Sequence, residues 1–443
     1  MKTSSHNRLD SVAVSFDAEG VVADAGLLLP ATLGEHLGLG KLLARHVRLG
    51  DTPGAPNPDY KAQTLIASLI AGGDCIQDVD ALRAGRTAAV LGHPVAAPST
   101  VGIFVRSFGV GHPRQLDAVA EDLGQRAWDA GARPTEEVLR LDVDSSVVET
   151  FGLHKQGGSE FTYLKTRGYH PLFAVLAGHR DVLHARLRQG KANSGRGAAS
   201  FVRQSLCRLR RWRRSRQPVV VRADSGFYSG KVVRACEEHG AQFSISIRMQ
   251  GAHHDLVAQI PEEHWVDIPY WREGTAQVAE VSYRPFGGRQ EYRLIVRRVE
   301  PTPGSQLALR GLSYSYFAFI TDREGEMQEL EADHRQHAEV ENVIRDLKYG
   351  LGLNHLPSGK FAANAAWLAL NLIAHNLCCW LTRLAGLGSQ CLKTLRRRLF
   401  NVPGRVVRSA RQTHLKLLAE WPWRDQFMAT LTALRAITPP LTT

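Results

Sequence analysis

Three carboxylates stand where an α/β scaffold can hold divalent metal ions. Asp144 closes the alternating run Val138-Leu139-Arg140-Leu141-Asp142-Val143-Asp144. Asp224 follows the apolar run Val219-Val220-Val221, within Arg222-Ala223-Asp224-Ser225-Gly226. Glu341 lies on a helical pattern running from about Glu326 to Tyr349. Phosphoryl transfer on DNA requires an attacking oxygen to be activated and a leaving oxygen to be neutralised. Two metal ions about 3.5–4 Å apart do both, and Mg²⁺ prefers carboxylate oxygens and water. Taken singly, each acid has an ordinary explanation. An Asp at a strand end is often a turn former or helix cap, and a Glu on a charged helix usually faces solvent. The chemistry is suggested by the combination.

The elements that must position these acids can be read from periodicity. In the first run Leu139, Leu141 and Val143 share one strand face, and Arg140, Asp142 and Asp144 share the other. Asp142 could therefore hold a water or support Asp144. The Val219 run reads as a buried parallel strand ending in an Asp. The crevice beyond the carboxyl ends of parallel strands is the usual site in open α/β sheets. On the late helix His334, His337, Glu341, Arg345 and Lys348 recur at steps of three and four, which predicts one stripe. Val340, Val343, Ile344 and Leu347 form the adjoining apolar stripe, and Glu339 points to solvent.

Upstream, Val12, Val14 and Phe16 alternate with small residues and predict a short strand. Helical patterns follow from Leu33 to Val47, Tyr60 to Ile70, Ile76 to Ala84, Thr100 to Phe108 and Pro113 to Ala130, with Ser99 as a cap. Such short helices suit a helix-turn-helix-like DNA-binding region and many other helical domains. Further strands are expected around Pro171 to Leu176, Val182 to Leu187 and Phe243 to Ile247. Helices are expected from Ala198 to Arg211 and from Gly230 to His239. Residues 250–320 read as β-rich, with strands at Val278 to Tyr283, Glu291 to Val296 and Ser313 to Ile320. A second late helix runs from Phe361 to Leu384. The order predicts an α/β layered domain with an insertion before its last helices.

Composition points to a polyanionic partner. The 443 residues carry a net charge of +12 with a pI near 9.6, and nucleic acid is the commonest partner of such a chain. Residues 208–217, RLRRWRRSRQ, hold six arginines around Trp212. Arg210, Arg211, Arg213 and Arg214 could pair phosphates while Trp212 stacks on a base, or the run could be a solvated helix end. The C-terminal run with Lys393, Arg396, Arg397, Arg398, Arg405, Arg408, Arg411 and Lys416 is the longer candidate DNA track. The six cysteines have no zinc-site spacing and read as reduced thiols. The N-terminus lacks the apolar core of a signal peptide, and Ala362 to Leu377 is too short and polar to span a membrane. A cytoplasmic, nucleoid-associated protein is expected. Gly38 to Leu42 lacks P-loop spacing, so ATP use is not supported. A two-histidine, one-carboxylate metal site from His334, His337 and Glu341 is a weaker alternative.

Three blocks carry a family resemblance: Asp144-Ser145-Ser146-Val147, Arg222 to Tyr228, and Glu341-Asn342 followed by Lys348. They resemble the signature blocks of bacterial insertion-sequence DDE transposases, of the branch grouped around insertion sequence number 1380. Gly168 to Leu172, Leu187 to Gly190, Asn364 to Leu368 and Ala374 to Leu377 add to the likeness, which covers most of residues 10–400. It implies an RNase-H-like catalytic fold and cut-and-paste chemistry with Mg²⁺ or Mn²⁺, two ions held by Asp144, Asp224 and Glu341. The implied partners are double-stranded DNA, at element ends and target, and a second protomer on that DNA, with no membrane. The implied organisation is a helical DNA-binding region at 1–135 and a catalytic core at 136–249. A β-rich insertion at 250–322, the last catalytic helices at 323–388 and a basic tail at 389–443 complete it. Relatives carry Tyr-x2-Arg-x3-Glu-x6-Lys on the late helix. Here His334 and His337 replace the first two members, so the grip on the phosphate beside the cut must differ. Two rivals remain: a transposon-derived DNA-binding protein without catalysis, and a metal-dependent nuclease that does not join.

Overall fold

The computed structural model describes residues 8–271, 274–301, 314–410 and 412–438. At its centre a nine-stranded mixed sheet assembles around two parallel pairings. Strand β2 (Leu139–Ser145) is parallel to β7 (Val219–Ala223), and β7 is parallel to β8 (Gln242–Ile247). On one side β5 (Leu172–Leu176) and β6 (Val182–Arg186) continue antiparallel from β2. On the other side β12 (Ser315–Thr321), β11 (Tyr292–Val299), β10 (Ala276–Tyr283) and the short β9 (Val266–Asp267) continue antiparallel from β8. The order is therefore β6-β5-β2-β7-β8-β12-β11-β10-β9. The β-rich stretch after residue 250 is an extension of the same sheet rather than a separate layer. Its register is fixed by pairs such as Ile320 opposite Ile245, which keep aliphatics opposed. The predicted strand start at Ser313 lies outside the described residues.

Central strands buried on both sides need near-continuous apolar sequence, and Val219, Val220 and Val221 supply it, each at most 3% exposed. The helices that cover the sheet are α8 (Ala198–Trp212) against β5 and β6, α9 (Gly230–Glu237) against β8, and α11 (Met327–Arg335) against β10 and β11. Helix α12 (Val340–Arg345) lies against β2 and β5.

Helix α13 (Phe361–Leu384) is the spine of the molecule. By length and composition it is apolar enough to cross a membrane, contrary to the expectation of too short and polar a segment. Most of it is buried, because α1 (Leu28–His36), α3 (Pro58–Ala71), α6 (Pro98–Arg106), α7 (Pro113–Ala127) and β6 all pack against it. One continuous core thus runs from Leu27 to Leu434 through the helical region and the sheet.

Several expectations are corrected. Residues 12–16 form no strand, and Val12, Val14 and Phe16 are exposed, because alternation without a neighbouring strand leaves the backbone unpaired. Among the described residues there, the only strand is β1 (Val21–Val22), which pairs with β13 (Gly404–Ser409). Ser99 does not cap: Ala97 occupies that position and Pro98 opens α6 with its preset φ. The late helix is not uniform. A 3-10 turn, Gln336–Glu339, joins α11 to α12, and a π turn, Asp346–Gly350, follows. The C-terminal region is folded: β13 and β14 (Gln412–Leu417) form a hairpin, and a helix over Arg424–Arg435 packs on α1. Arg411 lies outside the described residues.

Candidate active site

Parallel pairing of β2, β7 and β8 brings their carboxyl ends to one edge of the sheet. A cleft of about 1070 Å³ opens there, with Asp144, Asp224 and Glu341 all in its wall. Asp144 is near the end of β2, Asp224 is the residue after β7, and Glu341 is on α12, which packs against β2. Asp224 also performs the ordinary task weighed against it. Its Oδ1 accepts the amide of Gly226 at 3.0 Å, capping the 3-10 turn Ser225–Phe227. Gly226 has to be small, since a Cβ there would lie 2.7 Å from that of Ser194, whose loop forms the facing wall.

The electrostatics show three acids that crowd one another. Burial pushes Asp144 up to about 6, and the charges of Asp224 and Glu341 add to the rise. Burial also raises Asp224, against the hydrogen bond from Gly226. Among the described residues the one trio of Asp, Glu, Cys or His with ligand atoms all within 4.8 Å is Asp74, Cys75 and Asp78. The cleft acids are therefore spread more widely than the shell of one ion. The donor set fits divalent cations: hard oxygens, half-buried at Asp144 and Asp224 and exposed at Glu341, and without an ion-paired Lys or Arg among the described residues to neutralise them. The Asp74 trio has a local explanation, because Asp78 Oδ2 caps a turn by accepting the amides of Asp74 and Cys75 at 2.8 and 3.0 Å.

The predicted supporting residues separate into two groups. Arg345 and Lys348 line the cleft. The Lys348 ammonium donates to the Val147 carbonyl at 2.8 Å, and burial lowers its pKa. His337 stands at the root of the cleft, with Nε2 3.2 Å from the Val143 carbonyl. His334 is not in the cleft. Its two ring nitrogens bond Ser244 and Ser246 of β8, each at 2.8 Å, and its ring stacks on Phe319. The intervening 3-10 turn advances about 120° per residue rather than 100°, so the even stripe drawn from sequence does not survive it. This excludes the two-histidine, one-carboxylate site.

Asp142 faces inward and is not a cleft residue. Its carboxylate is gripped by Arg222, both side chains being at most 1% exposed. The face it shares with Asp144 is covered at that level by α11, whose Asp333 bonds Arg140, Arg222 and Arg323.

The arginine clusters also divide. Trp212 is buried, donates to the Glu121 carbonyl at 3.0 Å and packs edge-on against Trp128, so it does not stack on a base. Arg211 pairs with Glu121 and Asp122, and Arg213 turns back to the Gln217 carbonyl. Arg396 donates to the carbonyls of Leu69, Ile70 and Gly350, and Arg398 lies over the Trp423 ring. Arg210, Arg214 and Arg397 are exposed, as are Arg405, Arg408 and Lys416 on the hairpin.

The cleft also contains residues to which the sequence alone assigned no role. Ser145 Oγ bridges His170 Nε2 at 3.0 Å and Ser194 Oγ at 2.9 Å, and Arg188 braces the loop through the carbonyls of His170, Asn193 and Arg196. Arg248 lines the cleft and is exposed. It follows directly on β8, and that strand's parallel pairing to β7 would have sent it to the same edge as Asp224.

A family model described as "Transposase DDE domain group 1" matches residues 4–439. No curated protein matches the chain. Among solved structures, a piggyBac transposase synaptic complex with hairpin DNA aligns at a TM-score of 0.45 and 11% identity, over 95% of this chain and 83% of that one. That likeness is too distant to inform the site.

Proposed function

The chain belongs to the DDE transposase family, and we propose that it cuts and joins DNA at the ends of an insertion sequence of the branch grouped around insertion sequence number 1380. The observation that carries the reading is the convergence of Asp144, Asp224 and Glu341 on one open cleft at the carboxyl ends of parallel strands. The order β6-β5-β2-β7-β8, with the last two strands parallel to β2, supports an RNase-H-like core extended by β9 to β12.

In this reading Asp144, Asp224 and Glu341 hold two ions, Mg²⁺ or Mn²⁺. When bound, the ions supply activation of the attacking oxygen and charge neutralisation on the leaving oxygen. The chain's own work is positioning. Asp224 is oriented by its bond from Gly226, and Asp144 by the Ser145 amide at 2.6 Å. Arg345, Lys348 and Arg248 present cations to the phosphates beside the cut. In the first step water attacks the phosphodiester at the element end, leaving a 3′-hydroxyl on one side of the break and a 5′-phosphate on the other. In the second that 3′-hydroxyl attacks a target phosphodiester in line and displaces a target 3′-hydroxyl, without a covalent protein intermediate. Double-stranded DNA at both ends and at the target, and a second protomer, complete the assembly.

The test is a plasmid carrying the DNA that flanks the gene on both sides, incubated with the protein and Mg²⁺ or Mn²⁺. Excised and rejoined products are expected, and none with Asp224→Asn. Cutting without joining would make the protein a nuclease. Binding without cutting would make it a DNA-binding protein of transposon origin.

A further inference from the structure

We propose that the loop between β3 (Val148–Glu149) and β4 (Gly168–Tyr169) is a stacking platform for unpaired DNA bases at the mouth of the cleft. The inference rests on reading the cleft as a site that handles DNA. Within this loop Phe151 is 81% exposed, Phe161 60% and Tyr163 68%, with Leu153 and Leu164 also exposed. Large apolar side chains scattered singly over a surface need no explanation, but a cluster does.

The loop is braced, so the rings are held outward. The Gln156 amide donates to the Gly359 carbonyl at 2.9 Å, Tyr169 Oη donates to the Gln156 carbonyl at 2.9 Å, and the Phe361 amide donates to Gln156 Oε1 at 3.1 Å. Tyr163 connects the platform to the chemistry. It lines the cleft, and its ring lies 5.2 Å from that of His170, which bonds Ser145 next to Asp144.

The charge around the rings matches a nucleic-acid strand. The Arg167 guanidinium lies 5.2 Å over the Phe161 ring, and exposed Lys165 stands between Phe161 and Arg167 in the chain. Aromatic rings interleaved with cations take bases on their faces and phosphates on the cations, with little sequence preference. Paired duplex hides its base faces, so the platform selects DNA that is open beside the cut.

The probes are a blunt duplex of random sequence and the same duplex with a short single-stranded tail containing 2-aminopurine, both without metal so that nothing is cut. Wild type should bind the tailed probe about tenfold more tightly, the scale of one stacked base, and should change the tail's fluorescence. The double variant Phe151→Ala/Phe161→Ala should lose both effects and keep its affinity for blunt duplex. Both substitutions are at exposed positions, so melting should be unchanged. The proposal is overturned if the double variant keeps the tail preference or weakens both probes equally. It is equally overturned if the variant sediments as a smaller species than wild type, since the rings would then contact a second copy of the chain. Asp224→Asn should retain the tail preference. If that variant still cuts DNA, the reading of the cleft fails while the stacking result stands. If stacking fails while Asp224→Asn is inactive, only the platform is lost.

Discussion

Arg222 and Asp142 form a two-bonded ion pair, Nε to Oδ1 at 2.6 Å and Nη2 to Oδ2 at 2.8 Å, in a place that solvent does not reach. Each partner stands two residues before a cleft aspartate and on the same strand face. The third guanidinium nitrogen bonds the Asp333 carbonyl on α11, which leads to Glu341. This one side chain thus ties the two strands that present Asp144 and Asp224 to the helix that precedes the one carrying Glu341.

Removing one partner of a buried pair leaves an uncompensated charge, which costs about 3–5 kcal/mol, whereas replacing both by apolar groups is often near neutral. Arg222→Met should therefore destabilise by about that amount in urea denaturation, and the double variant Arg222→Met/Asp142→Leu should recover much of it. Asp142→Ala is expected to be equally severe, since it leaves the Arg222 charge buried without its carboxylate. A double variant less stable than Arg222→Met would show that the tie is not acting as a pair.

The raised pKa of Asp144 has a stability consequence of definite sign. Its folded value, about 6, exceeds the ordinary 3.8, so the folded chain binds the extra proton. The penalty is absent below about pH 4, grows between there and pH 6, and is complete above. Metal-free Asp144→Asn should be more stable than wild type at pH 7 by about 1–2 kcal/mol, given partial solvent screening, and the difference should vanish toward pH 4. Added Mn²⁺ should raise the melting temperature of wild type more than that of the variant. A variant less stable than metal-free wild type at pH 7 would contradict the crowding of acids.

Arg248 and Arg396 should behave oppositely. Arg248 is exposed in the cleft, and each phosphate contact contributes about −0.9 to the slope of log affinity against log salt for duplex DNA. Arg248→Ala should weaken binding and flatten that slope by about one unit, with unchanged melting. Arg396 spends its donors on three backbone carbonyls, so Arg396→Ala should cost roughly 1–3 kcal/mol in stability and leave the slope alone. Salt titrations of both variants decide the matter, and equal slopes would remove Arg248 from the DNA path.

The family resemblance would put an arginine where His337 stands, and here the His337 ring is held with Nε2 3.2 Å from the Val143 carbonyl. An arginine's donors sit farther from its own backbone than the imidazole nitrogens do, so the same bond to Val143 would be lost or displaced. His337→Arg is therefore expected to lower single-turnover cleavage rather than improve it. His337→Gln, which can keep the bond, should stay within about threefold of wild type, a loss below 1 kcal/mol. Faster cleavage by His337→Arg would restore the idea of a phosphate grip at this position.

The elements were legible where pattern and environment agree. The run Val219 to Val221 read directly because burial on both faces demands continuous apolar sequence, Phe243 to Ile247 because its large apolar residues alternate, and the helix Phe361–Leu384 because apolar residues dominate it. Asp144, Asp224 and Glu341 could be singled out since strand ends and helix faces have simple periods. His334 could not be placed, because a 3-10 turn changes the angular step without a sequence mark. The partners of Arg211, Arg396 and Asp142 were hidden for another reason: a side-chain contact between distant segments leaves no local trace. The strand at Val21–Val22 depends on Arg405 and Gly404, far along the chain.

Helix Phe361–Leu384 has a consequence for the order of synthesis. The inward faces of α1, α3, α6 and α7 are complete only when this helix lies among them, and it leaves the ribosome after more than four-fifths of the chain. Until then the nascent N-terminal region carries apolar surface with nothing to cover it. A message truncated before that point should yield an insoluble fragment, so an early stop codon is expected to silence the gene rather than leave behind a free DNA-binding inhibitor of the full-length protein.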